Sequence, residues 1–77
     1  MSMNDRREFI EWAIGRGYSE LTADKIWCVI KSIKSKGIDD MDALNKWLHR
    51  APLSKATKSK YRYSFRVYLE FIQEVLE

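Results

Sequence analysis

The sequence predicts an all-α fold, a compact four-helix bundle forming a single domain over residues 1–77. Four stretches carry apolar residues at helical spacing, and each is bounded by a capping or stop residue. No run alternates polar and apolar residues as a half-buried strand does. Three glycines and one proline are too few for a turn-rich β fold, and the 45% hydrophobic content is that of an ordinary folded protein rather than a disordered one. A chain this short buries only about 60 to 65% of its unfolded surface, so most of its aromatic side chains are needed for the core.

The first helix is expected from about Asp5 to Arg16, with Phe9, Ile10, Trp12, Ala13 and Ile14 apolar and Gly17 as its stop. That apolar arc is wide, as in a helix wedged between neighbours or docked against another molecule. Ser19 is the expected cap of the second helix, in which Thr22, Ile26, Val29, Ile30 and Ile33 fall within about 100° and form the core stripe, ending at Lys36-Gly37. Asp39 is the expected cap of the third helix, which carries Leu44, Trp47 and Leu48 and stops at Ala51-Pro52. Ser54 opens a long fourth helix to about Val75, with Tyr61, Phe65, Tyr68, Ile72 and Val75 on one arc of about 80°.

Several function classes are excluded. One cysteine, Cys28, and one histidine, His49, cannot supply the four ligands of a structural zinc or an internal disulfide. Asp39, Asp40 and Asp42 lack the glycine and ligand spacing of a calcium loop and suit helix capping instead. No apolar run spans a membrane, and Met1 to Glu8 lacks the apolar stretch of a leader, so a soluble cytoplasmic chain is expected. No Ser/His/Asp, Cys/His or Glu/Glu arrangement and no glycine-rich phosphate loop is present, so neither catalysis nor a cofactor is expected.

Charge distribution carries more than the net value of +3. Residues 25–36 hold Lys25, Lys31, Lys34 and Lys36, and residues 55–66 hold Lys55, Lys58, Lys60, Arg62 and Arg66, with no acid in either stretch. All eleven acids lie elsewhere. Clustered cations of this kind suit a phosphate surface, because counterion release rewards several charges presented together; two solvated lysine-rich faces are the bland alternative. On the fourth helix Lys55, Lys58, Arg62 and Arg66 fall within about 80°, about 120° from the aromatic arc, with the hydroxyls of Thr57 and Ser59 in the first turns. On the second, Trp27, Lys31 and Lys34 fall away from the isoleucine stripe. Trp27 there packs on a neighbouring helix, covers lysine stems, or meets a bound strand.

Phe9-Ile10-Glu11-Trp12, the turn Arg16-Gly17-Tyr18-Ser19-Glu20-Leu21-Thr22 and the comb Ile26, Ile30, Ile33 are joined by Leu53-Ser54-Lys55-Ala56-Thr57 and by Tyr61, Phe65, Arg66, Tyr68, Leu69 and Phe71. In order and spacing this pattern resembles the SAM-like core-binding domain of tyrosine recombinases, the phage integrase family, over about Phe9 to Phe71. Ile26 stands where that family often has tyrosine, and Trp27 and Cys28 stand where polar residues are usual. The resemblance implies a SAM-like bundle that grips duplex DNA beside a cleavage point, in DNA integration or site-specific recombination. Thr22, Lys25 and Lys31 of the second helix and Lys55, Thr57, Lys58, Ser59, Arg62 and Arg66 of the fourth would contact the DNA. The catalytic residues would belong to a separate domain, and other recombinase protomers would be contacted through the first helix. The competing class is a helical protein-interaction or oligomerisation module, which the wide arc of the first helix would serve.

Overall fold

The computed structural model describes residues 3–76, so Met1, Ser2 and Glu77, and with them the first residues of the stretch read for a leader, lie outside it. Its elements are α1 (Met3–Gly15), α2 (Glu20–Ser35), α3 (Met41–Arg50) and α4 (Lys55–Phe71), and a π-helical turn, Ile72–Leu76, continues α4. The fold is the expected all-α four-helix bundle, without a strand among the described residues. None of these helices is long and apolar enough to cross a membrane. The helix α2 packs against both α1 and α4, and α3 packs against α4.

Local chemistry sets the ends. Gly17, at φ 100°, closes α1 with paired bonds from its own N–H to the Ile14 carbonyl (3.0 Å) and from the Tyr18 N–H to the Ala13 carbonyl (3.1 Å). An L side chain would be strained at that φ, which is why glycine serves there. Ser19 and Ser54 accept from the N–H of Thr22 (3.1 Å) and of Thr57 (3.2 Å), satisfying one otherwise orphaned donor in each helix.

The cap of α3 is Asp40, not Asp39: its side chain accepts from the Ala43 N–H at 2.8 Å. Ile38, 5% exposed, anchors the chain in the core just before the cap, and Asp39 takes the Lys34 ammonium at 3.0 Å instead.

Burial differs from the expected stripes in a regular way. In α2 the buried residues are Ala23, Ile26, Trp27, Ile30 and Ile33, whereas Thr22 is exposed and Val29 only half-buried. Lying between two helices, α2 buries an arc of about 120° displaced towards Trp27, where one neighbour would bury less. Trp27 is 2% exposed, with its ring centroid 5.3 Å from Phe9 and 6.4 Å from Tyr68, so it packs on neighbouring helices. Ser64, Phe65, Val67, Tyr68 and Phe71 are buried in α4, an arc of about 160° for a helix that meets all three others. Val75 is 44% exposed and lies outside the core.

Phe9 is the hub. Fully buried, it touches the rings of Trp12 (5.8 Å), Trp27 (5.3 Å) and Phe71 (5.2 Å, edge to face), joining α1, α2 and α4 at one point. Each such pair adds about 0.5 to 1.5 kcal/mol beyond area burial. Phe9→Ala therefore loses about 3 to 5 kcal/mol, comparable to the whole stability of so small a domain. Circular dichroism should find it largely unfolded at 25 °C. A cooperative melt within a few degrees of the parent would show that the hub is misassigned.

Candidate nucleic-acid interface

Turning Phe65, Tyr68 and Phe71 inward forces the opposite side of α4 outward. Lys55, Ser59 and Arg66 are exposed there, with Lys58 and Arg62 half-buried on the shoulder towards α3. Among the described residues no carboxylate lies within 4.0 Å of Lys55, Lys58, Lys60, Arg62 or Arg66. Arg62 donates from Nε to the Asn45 side-chain oxygen of α3 at 2.9 Å, which fixes its stem without neutralising its charge. Lys55, Lys58, Arg62 and Arg66 are expected to form one exposed ridge; the structure corrects this for Lys58 and Arg62, which are half-buried, and makes Arg62 a helix-to-helix tie as well.

The acid that could neutralise the ridge is turned elsewhere. Glu70 lies one turn beyond Arg66, the usual spacing for a helical ion pair, yet its carboxylate binds Arg16 at the end of α1 (3.0 Å). The same guanidinium takes both oxygens of Glu74 in the π turn (2.9 and 3.0 Å), and the Trp12 indole N–H donates to Glu74 at 3.0 Å. Arg16 also lies over the Trp12 ring, 4.9 Å from its centroid. Exposed pairs like these are worth at most about 1 kcal/mol each. Their larger effect is to gather negative charge at one end of α4 and leave its first three turns positive.

Aromatic groups flank the ridge on both sides. Towards α3, the Tyr61 ring stacks on Trp47 (5.8 Å, 15° between planes), and the Lys36 ammonium lies 5.2 Å from the Trp47 centroid. On the other side the hydroxyl of Tyr63, which is 49% exposed, meets that of Tyr18 at 2.7 Å. That bond links the exposed face of α4 to the entry of α2. Immediately after Tyr18, Ser19 donates from Oγ to Thr22 Oγ1 (2.9 Å) while accepting from the Thr22 N–H, so the exposed Thr22 hydroxyl keeps its own proton to donate. Ser54 and Thr57 repeat the arrangement at the head of α4 (3.0 Å).

Of the expected site residues, the structure groups Lys55, Lys58, Ser59, Arg62 and Arg66 on one side of α4, whereas Thr57, half-buried and bonded to Ser54, lies in line with the buried arc and away from them. Thr22 is exposed beside the Tyr18–Tyr63 bridge. Lys25 and Lys31 are exposed, but six residues of helix set them about 120° apart, and no contact joins either to the ridge. The other two lysines of that acid-free stretch are engaged. Lys34 is paired with Asp39 and lies 5.8 Å from the Tyr68 ring centroid, while Lys36 donates to the Ser32 carbonyl (3.2 Å) and hydroxyl (3.0 Å) beside the Trp47 ring.

Lys36, Tyr18 and Tyr63 were not among the residues the sequence singles out for the site. For Tyr63 a signal existed: it lies more than 100° from the centre of the Tyr61, Phe65 and Tyr68 arc, so it could not be core. Among the described residues no group of three or more His, Cys, Asp or Glu is placed to hold a metal. Compared with protein-family models, curated proteins and solved structures, the chain matches none.

The hydrogen bond to Tyr63, and then partial burial, push the Tyr18 hydroxyl from 10.0 up to about 12. The folded chain thus holds the Tyr18 proton where the unfolded chain has released it. The associated stability is fully present below pH 10 and is lost as pH rises through about 12. Tyr63→Phe should return the Tyr18 titration, followed by tyrosinate absorbance with Tyr18→Phe to assign it, towards the ordinary value. An unchanged high-pH titration in Tyr63→Phe would break the link between the two hydroxyls.

Proposed function

We propose that this chain is a duplex-DNA-binding module, acting as the core-binding domain of a tyrosine recombinase in DNA integration or site-specific recombination. The observation that carries this reading is the acid-free ridge of α4, with Glu70 drawn away to Arg16. Four cations on one side of three helical turns, Lys55, Lys58, Arg62 and Arg66, none with a carboxylate within 4.0 Å among the described residues, present the clustered charge that releases counterions from a phosphate backbone. Helix α4 adds its positive end, where the Lys55 and Ala56 N–H groups have no intrahelical carbonyl and suit a phosphate oxygen.

Backbone contacts of this kind set position rather than sequence. The Trp47–Tyr61 stack and the Tyr18–Tyr63 pair on the two shoulders offer ring faces and hydroxyls to sugars and phosphates that pass the ridge. Within this reading the tyrosines are contacts and not nucleophiles. A catalytic hydroxyl is activated by a lowered pKa or an adjacent base, and Tyr18 is shifted the other way. The protein-interaction reading is favoured by a different observation, the exposure of Ile14 (47%) and Leu21 (66%). Salt dependence of DNA binding separates the two.

Binding to a short duplex should be weak and sequence-tolerant, about 10⁻⁴ to 10⁻⁶ M near physiological salt. With about four to six phosphates contacted, log K should fall against log salt with a slope of about −3.5 to −5.5, and a slope near zero would overturn the proposal. Replacing both Lys55 and Arg66 with Ala should reduce that slope by about two units and leave stability within about 0.5 kcal/mol. Arg62→Ala differs, losing about one unit of slope together with about 1 kcal/mol of stability, because its bond to Asn45 goes as well. If the Lys55 and Arg66 pair leaves binding untouched, the DNA face is not on α4.

A further inference from the structure

We propose that the trough between α1 and α2 is the surface on which a second copy of this chain docks, through a two-fold contact. Two adjoining depressions, of about 410 and 300 Å³, share Arg6 and Glu20 as lining residues and form this trough. Its apolar part is Ile14 of α1 and Leu21 of α2, 47% and 66% exposed in a domain whose other described large aliphatic side chains, Val75 apart, are buried or half-buried. Ile10, 9% exposed, lies beside Ile14 in the same depression.

The charges choose the occupant. Arg6 is already held by Asp24 across the trough at 2.7 Å. Arg7, Glu11 and Glu20 line the same depression and have no ion-pair partner within the described chain. A two-fold axis lays a patch on its own copy in reverse, so a face that carries an apolar strip with one free cation and free acids beside it complements itself. Nucleic acid would meet two unpaired carboxylates, and a partner of one charge sign would face its like. The surface needs none of the residues of the α4 ridge, so it does not rest on the DNA reading.

With two half-exposed aliphatic residues at its centre, the contact belongs to the small, transient class of interfaces. Sedimentation equilibrium should therefore follow the mass from 9.2 kDa towards twice that value as the chain is concentrated to about 1 mM, which populates even a millimolar dimer. Leu21→Glu should weaken the dimer at least tenfold while keeping the circular dichroism spectrum and the salt slope for DNA. Arg7→Glu leaves the unpaired charges of the patch all acidic, and Glu11→Arg combined with Glu20→Arg leaves them all basic. Each variant alone should stay monomeric, and their equimolar mixture should associate. A 9.2 kDa mass at every concentration overturns the proposal. So does a dimer that survives Leu21→Glu, which would put the contact elsewhere, or a mixture of the charge variants that fails to associate.

Discussion

The ring of Phe9, wedged between Trp12, Trp27 and Phe71, is the contact on which the rest of this domain depends. It is where α1, α2 and α4 meet, and it sets the rotation of α4 about its own axis. Once Phe65, Tyr68 and Phe71 are drawn towards it, helical geometry leaves Lys55, Ser59 and Arg66 no inward direction. Core and candidate interface are therefore two sides of one rotation. Aromatic side chains suit this task in a small domain, because each removes a large area from water through few rotatable bonds.

The second organising feature is where the acids are sent. Arg16 binds Glu70 and Glu74 together, and Trp12, itself packed on Phe9, holds Glu74 from the other side. At α3, Lys34 is paired with Asp39, and at α1 Arg6 is paired with Asp24. Each is an exposed pair of small energetic worth. Together they keep carboxylates away from the start of α4, while Asn45, a neutral acceptor, anchors Arg62 without cancelling its charge. A charged surface built in this way is maintained by the placing of opposite charges as much as by the number of cations.

The two remaining surfaces of interest differ in chemistry. The α4 ridge is charged with one sign and flanked by rings and hydroxyls, which suits a long polyanion. The α1–α2 trough mixes signs about exposed Ile14 and Leu21, which suits a short protein contact. The wide apolar arc of α1 accounts for this division. Phe9 and Ala13 face the core, whereas Ile14, on the far edge of the same arc, faces solvent.

The sequence by itself determined the fold class, the four helices and most of their ends. Gly17, Ser19 and Ser54 act through neighbours within five residues, and local chemistry of that range can be read along the chain. It also determined that Lys55, Lys58, Arg62 and Arg66 of α4 share a side, since a helical period is enough to group them. What tertiary structure alone decided was the breadth of each buried arc, because periodicity finds the centre of an apolar stripe but cannot tell how many helices pack against it. Trp27 became core and Thr22 surface when α2 was placed between α1 and α4. The choice of Asp40 over Asp39 followed from the anchoring of Ile38, and the fate of Lys34 and Lys36 from Asp39, Tyr68 and Trp47. Arg16's hold on Glu70 and Glu74, 54 and 58 residues away, was likewise invisible along the chain. A guanidinium pairs with whichever carboxylate the packed core brings within reach, and the burial of Phe9 against Phe71 brought those two.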